Sequence, residues 1–252
     1  MDVTYLAVPI FFFIAILFSM LGLGGGLLYI PILFWLGMDL KKEAIPLGML
    51  LNVVNGATAV LTYARRHFIN WRLALPFGLA MVAMAPVGAL VNAYVPQRPL
   101  LALVAFFIAA AAALMLSRWK PDREKLDQRN QTLLGLSAGS VLGLVAGLAG
   151  LGGGVFVMPL LYVAGLPPQS AAATTALVVT GSGLSGFVSH LILAATPRWG
   201  LWLACAASVF AGSEIGSHYM SRQLDPERIQ SVFGVVLMGV AVVLVIKDIL
   251  LP

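Results

Sequence analysis

The sequence predicts an all-α polytopic membrane protein made of two tandem repeats of four apolar segments. Three observations carry that expectation. Of 252 residues, 60% are hydrophobic and 10% charged, with a mean hydropathy of +0.97, whereas soluble domains carry about 25% charge. The apolar residues fall into runs of membrane length, a bilayer core needing about 20 per helix. The run Gly-Leu-Gly-Gly-Gly occurs twice, at 22–26 and 150–154, and each copy is followed by a proline, Pro31 or Pro159.

The two glycine runs lie 128 residues apart, and the same offset pairs Gly37 with Gly165, Ala44 with Ala172, Trp71 with Trp199 and Gly88 with Gly216. A fixed offset without gaps indicates a duplicated unit. The first repeat takes residues 1–120, a charged loop 121–130, and the second repeat 131–252. The apolar segments are 4–37, 44–64, 71–95 and 99–118, then 132–165, 170–196, 199–221 and 229–251.

The first segment of each repeat is too long for one straight span. Its glycine run falls inside it, where glycine is a poor helix former. Each is expected to form two shorter helices meeting at a break. The second segments differ: one reads "GMLLNVVNGATAV", the other "TTALVVTGSGLSG". Trp71 and Trp199 open the third segments, at the edges where aromatic belts form.

Two topologies satisfy the charge pattern. If each long segment crosses once, 10 Lys and Arg lie inside and 5 outside; if each folds back at its break, the repeats are inverted and the count is again 10 to 5. The positive-inside rule does not separate them. Both place the 118–129 loop in the cytoplasm. The inverted hairpin is preferred by analogy with transporters built on interrupted helices.

Several function classes drop out. The net charge of +5 is dispersed between apolar segments, so nucleic acid is not an expected partner; the bilayer is. The single Cys205 excludes an intramolecular disulfide and a Cys-rich metal site. No metal cluster or nucleotide-binding loop is legible, so no cofactor is expected. The apolar run 5–21 lacks a basic n-region and has an internal counterpart, so it reads as a membrane segment.

The breaks suggest a site. A helix restarting in an apolar interior leaves its first N–H groups without carbonyl partners, and its dipole adds about half a positive charge there. Two such ends close together attract an anion without Lys or Arg. Gly24, Gly25, Gly26, Gly152, Gly153 and Gly154 are therefore candidate substrate-binding residues. Gly139, Gly143 and Gly147 have the small-residue spacing of helix packing.

The paired Gly-Leu-Gly-Gly-Gly-x-x-x-x-Pro runs, the four-plus-four plan and Trp71 and Trp199 resemble the TauE/SafE family of bacterial membrane transporters. The resemblance covers nearly the whole chain. It implies a multi-pass protein of the bacterial inner membrane that moves sulfur-containing anions such as sulfite, sulfonates or sulfoacetate. Asn52 and Asn55 depart from the hydroxyls expected of the family at the first repeat's second segment, which leaves the particular anion open.

Polar residues inside apolar segments complete the candidates. Asn52 and Asn55 offer amide donors; Thr174, Thr175 and Ser182 offer hydroxyls. Glu214 lies eight residues before Arg222, about 12 Å along a helix, and intramembrane carboxylates default to functional hypotheses. His218 follows one turn later on the same face. The expected function is secondary transport, with Glu214 and His218 coupling anion movement to protons. A passive anion channel is the alternative. A remote third reading is an intramembrane serine protease using Ser185 in "GLSG" with His190 or His218 as base; His190, five residues on, shares no face with Ser185. No catalytic residue is assigned.

Overall fold

Glycine and proline positions set the helix boundaries. In the computed structural model, which describes residues 3–21, 24–117, 127–150, 152–193, 196–220 and 226–246, the first long run divides into α1 (Ala7–Leu21) and α2 (Gly26–Trp35). The remaining helices are α3 (Ile45–Ala64), α4 (Trp71–Tyr94), α5 (Gln97–Leu116), α6 (Gln128–Ala149), α7 (Gly154–Val163), α8 (Pro168–Leu193), α9 (Trp199–Met220) and α10 (Pro226–Leu244). The predicted loop residues 118–126, the break residues 22, 23 and 151, and Arg222 and Lys247 lie outside the described residues.

The breaks have a backbone cause. Gly24 and Gly152 adopt φ of +69° and +70°, a left-handed conformation that a Cβ disfavours. Helix propagation stops there and restarts at Gly26 and Gly154. The two short helices also end alike. Gly37 and Gly165 have φ of +88° and +89°; the Met38 N–H donates to Leu33 O and the Leu166 N–H to Leu161 O, the closing bond of a Schellman turn.

Packing contacts give the direction of each helix. On α1 and α9, Val8 meets Ser208, Phe12 meets Gly212 and Ile16 meets Gly216, so the two run parallel. On α3 and α9, Asn55 meets Ser213 and Thr62 meets Ser217, again parallel. Hence α1 and α3 run the same way, and α2 must return between them. It does: Gly25 meets Asn52 and Ile30 meets Gly48. In the second repeat, α6 parallels α4 through Gly139–Phe77, Gly143–Met81 and Gly147–Ala85, and α8 parallels α4 through Val178–Gly78 and Ser185–Val82. Therefore α7 also doubles back.

The helices α3 and α8 run antiparallel, with Met49 against Gly186, Asn52 against Gly183 and Gly56 against Thr180. Partners are exchanged across the chain: α1 packs on α9, α4 on α6, α3 on α8 and α5 on α10. The predicted packing glycines lie in one of these seams. A methyl group on Gly143 would sit 2.6 Å from Met81 Cα, and one on Gly139 2.7 Å from Phe77 O, so only glycine admits the α4 backbone so closely.

Four described helical stretches are long and apolar enough to cross a membrane: Leu40–Ala64, Trp71–Tyr94, Arg129–Ala149 and Gln169–Leu193. Phe13, Leu79, Phe106, Val141, Ile192 and Leu203 are exposed on the outside of the bundle. An apolar exterior of this kind suits lipid and would aggregate in water.

Candidate functional site

The site begins with the side chain between the breaks. Asn52 lies in the middle of α3, fully buried. Its Oδ1 accepts the Gly25 N–H at 3.1 Å. A methyl group on Gly24 would collide with the same carboxamide, and one on Gly152 would lie 2.5 Å from its Nδ2. One asparagine thus touches the glycine breaks of both repeats. Gly183 of α8 covers it from another side, and Val179 touches Gly24.

The polar inventory around this point is unbalanced toward donors. Asn52 Nδ2 is buried without a hydrogen-bond partner among the described residues, as are both carboxamide atoms of Asn55, the Thr175 hydroxyl and the Tyr29 hydroxyl. Leaving such a group unbonded costs about 1–3 kcal/mol, so each needs a reason. The first intrahelical bonds run from the Leu28 and Tyr29 N–H to Gly25 O and from the Phe156 and Val157 N–H to Gly153 O, so the preceding amides of α2 (Gly26, Leu27) and α7 (Gly154, Val155) have no acceptor within their own helix. Gly25 differs from expectation: its N–H is taken by Asn52, and Gly25 and Gly153 differ in backbone, with Gly25 at φ −112° and Gly153 at +68°.

The carbonyls on the other side of each break are held by side chains. The Tyr63 hydroxyl of α3 donates to Ser19 O at 3.0 Å, near the end of α1. His190 Nε2 of α8 donates to Gly147 O at 2.8 Å, near the end of α6; the carbonyl accepts, so Nε2 carries the hydrogen. Ser19 and Gly147 are again 128 residues apart. Asn92 Nδ2 adds a bond to Leu148 O at 2.6 Å. These pins fix the chain entering each break.

The structure brings some predicted residues together and keeps others apart. Gly24, Gly25, Gly26, Gly152, Gly153 and Gly154 are buried, with Gly24, Gly25 and Gly152 directly on Asn52. Asn55 lies one turn along α3, its backbone oxygen bonded by Ser213. Thr174 is committed elsewhere: its oxygen accepts the Asn70 N–H at 3.0 Å, at the start of α4. Ser182 donates to its own helix at Val179 O. Ser185 donates to Val82 O. Glu214 and His218 do share a face and approach to 3.3 Å, but that face is half-exposed on the outside of α9 and not turned toward the breaks. Tyr29 was not singled out by the sequence; its position four residues after Gly25 is the signal that marks it.

Interrupted helices that double back inside an apolar bundle, with amides left over at the turn, define the class: a multi-pass membrane transporter. The chain belongs to the TauE/SafE sulfite exporter family, whose description, "Sulfite exporter TauE/SafE", matches residues 7–244. It is a transporter and not an enzyme. A "Probable membrane transporter protein" of Methanocaldococcus jannaschii is 27% identical over 186 residues, 71% of this chain and 69% of that one. The "Probable membrane transporter protein YunE" of Bacillus subtilis is 24% identical across 92% of this chain and 93% of its own. "Sulfite exporter TauE/SafE family protein 5" of Arabidopsis thaliana is 41% identical over 91 residues, 32% of this chain and 20% of that protein. No solved structure matches.

Proposed function

We propose that the chain is a secondary transporter of small sulfur-containing anions, held where the two glycine breaks meet at Asn52. The observation that carries this reading is the Asn52 carboxamide, buried against Gly24, Gly25 and Gly152 with its Nδ2 unbonded. Its N–H groups and the starts of α2 and α7 supply neutral donors and positive helix ends. Asn55 and Thr175 add unbonded polar groups; Thr174 and Ser182 serve the scaffold in this reading.

The antiparallel pair α3 and α8 and the doubled-back α2 and α7 support two inverted repeats. With that topology the N-terminal side and Lys41, Lys42, Arg98 and Arg198 face outward. The 118–129 loop, Arg65, Arg66 and Arg72 then face the cytoplasm of a bacterial cell, as the positive-inside rule asks. Proton coupling runs through Glu214 and His218. Their neighbour Ser213 bonds Asn55 O, so a shift of α9 on protonation reaches the site through α3.

A melting screen of purified protein against sulfite, thiosulfate, methanesulfonate and carboxylates tests the substrate class, since a ligand of the folded state stabilises it by RT ln(1 + [L]/Kd). Stabilisation by sulfur oxyanions is expected; stabilisation by carboxylates alone overturns the reading. Counterflow of labelled sulfite in proteoliposomes, saturating with concentration, is expected of a carrier and excludes a channel. Glu214→Gln should flatten the dependence of flux on an imposed pH gradient. An unchanged dependence removes the coupling.

A further inference from the structure

The two breaks share a left-handed glycine, Gly24 or Gly152, and differ in their side chains. Asn52 corresponds by the 128-residue offset to Thr180, whose hydroxyl bonds Ala176 O of its own helix. Tyr29, on the first turn of α2, corresponds to Val157 on α7. Donor side chains are therefore concentrated on the first repeat's break.

Tyr29 is completely buried. A methyl group on Gly25 would strike its ring and lie 2.5 Å from its hydroxyl, so the phenol reaches back over the N-cap of its own helix. Phe11 stacks on the ring at a centroid separation of 4.8 Å and offers no acceptor. The Tyr29 hydroxyl has no hydrogen-bond partner among the described residues. A buried Tyr hydroxyl ordinarily finds one. The adjacent glycine carries the Asn52 carboxamide, whose Nδ2 is likewise unbonded. The Tyr29 hydroxyl and the start of α2 converge on Gly25, where the Asn52 carboxamide presents its Oδ1, while its Nδ2 turns toward Gly152 and Gly183.

We propose that Tyr29 is the specificity-determining residue of this site, donating its O–H to a third oxygen of a pyramidal –SO3 group whose other oxygens take the first amides of α2, Gly26 and Leu27. The proposal rests on the anion-site reading above. The phenol and the two amides make three donors, one for each oxygen of sulfite or a sulfonate. A planar carboxylate has two oxygens and leaves one donor unbonded. A site built to bond a given substrate group rejects an analogue that lacks it, because its own polar groups are then stranded. The second break, with Val157 at the matching position, has no phenol to make that third bond.

The test is affinity for methanesulfonate and for acetate, measured by calorimetry on wild type and Tyr29→Phe in the same detergent. Tyr29→Phe removes one oxygen from a packed ring. Wild type should prefer methanesulfonate. The variant should lose about tenfold in methanesulfonate affinity, as expected for a hydrogen bond to a charged group, and keep its acetate affinity. The ratio of the two affinities on one preparation does not depend on the folded fraction, so a poorly folding variant still gives an answer. A preference within twofold of wild type overturns the role of Tyr29 while leaving the site intact. If wild type binds neither anion, nor sulfite, the site reading falls and Tyr29 with it.

Discussion

Gly24 and Gly37 share a backbone requirement and differ in their surroundings. Both have positive φ, but a methyl group on Gly37 meets nothing within 4 Å, whereas one on Gly24 strikes Asn52. Gly37→Ala should therefore cost only the left-handed penalty, about 1–2 kcal/mol, and leave anion binding as it was. Gly24→Ala should incur that penalty and also displace the carboxamide, abolishing binding. Melting temperature and sulfite affinity of the two variants check this; equal binding losses would contradict it. Asn52 was legible as a polar residue in an apolar segment, and its contact with both breaks was not. Tyr29 was passed over, although it sits four residues after Gly25, because a buried aromatic in an apolar run has the same composition as core. Its meaning comes from an unbonded oxygen that only packing exposes.

At the scale of elements, each broken helix depends on a side chain from its neighbour. Tyr63→Phe strands Ser19 O and His190→Ala strands Gly147 O, and an orphaned buried carbonyl costs about 1–3 kcal/mol. Both variants should melt earlier. His190→Gln, which retains an N–H, should recover part of the loss; no recovery would mean that the ring is needed for packing and not for its bond. Along the α4–α6 seam, Gly143→Ala forces apart two backbones and should lower stability by about 1–3 kcal/mol, the usual cost of overpacking. The breaks and their proline and glycine punctuation were readable in the sequence because those residues act locally through φ. Helix faces were not readable. A membrane helix is apolar all round, so periodicity does not say which side turns inward. Glu214 shows the consequence: its pairing with His218 followed from spacing, while its outward face did not.

For the whole molecule, the direction of α3 against α8 supports the proposed inverted repeats, a choice that charge counting left open. The same 10-to-5 distribution of Lys and Arg fits parallel and inverted repeats, and only long-range contacts separate them. In a Cys205→Ser background, Arg98→Cys should react with an impermeant thiol reagent added to intact cells, and Arg65→Cys only after permeabilisation. The reverse pattern would invert the proposed orientation. The proposed inverted repeats would also account for the single Asn52 at both breaks, since two turns brought to one level lie within reach of one side chain.

In the proposed site the two breaks hold one anion together and not one each. Equilibrium binding of labelled sulfite to a known amount of purified protein distinguishes the two cases. One anion per chain is expected, and none for Asn52→Asp, where a carboxylate replaces the donor amide. Two anions per chain, or undiminished binding by Asn52→Asp, would contradict it.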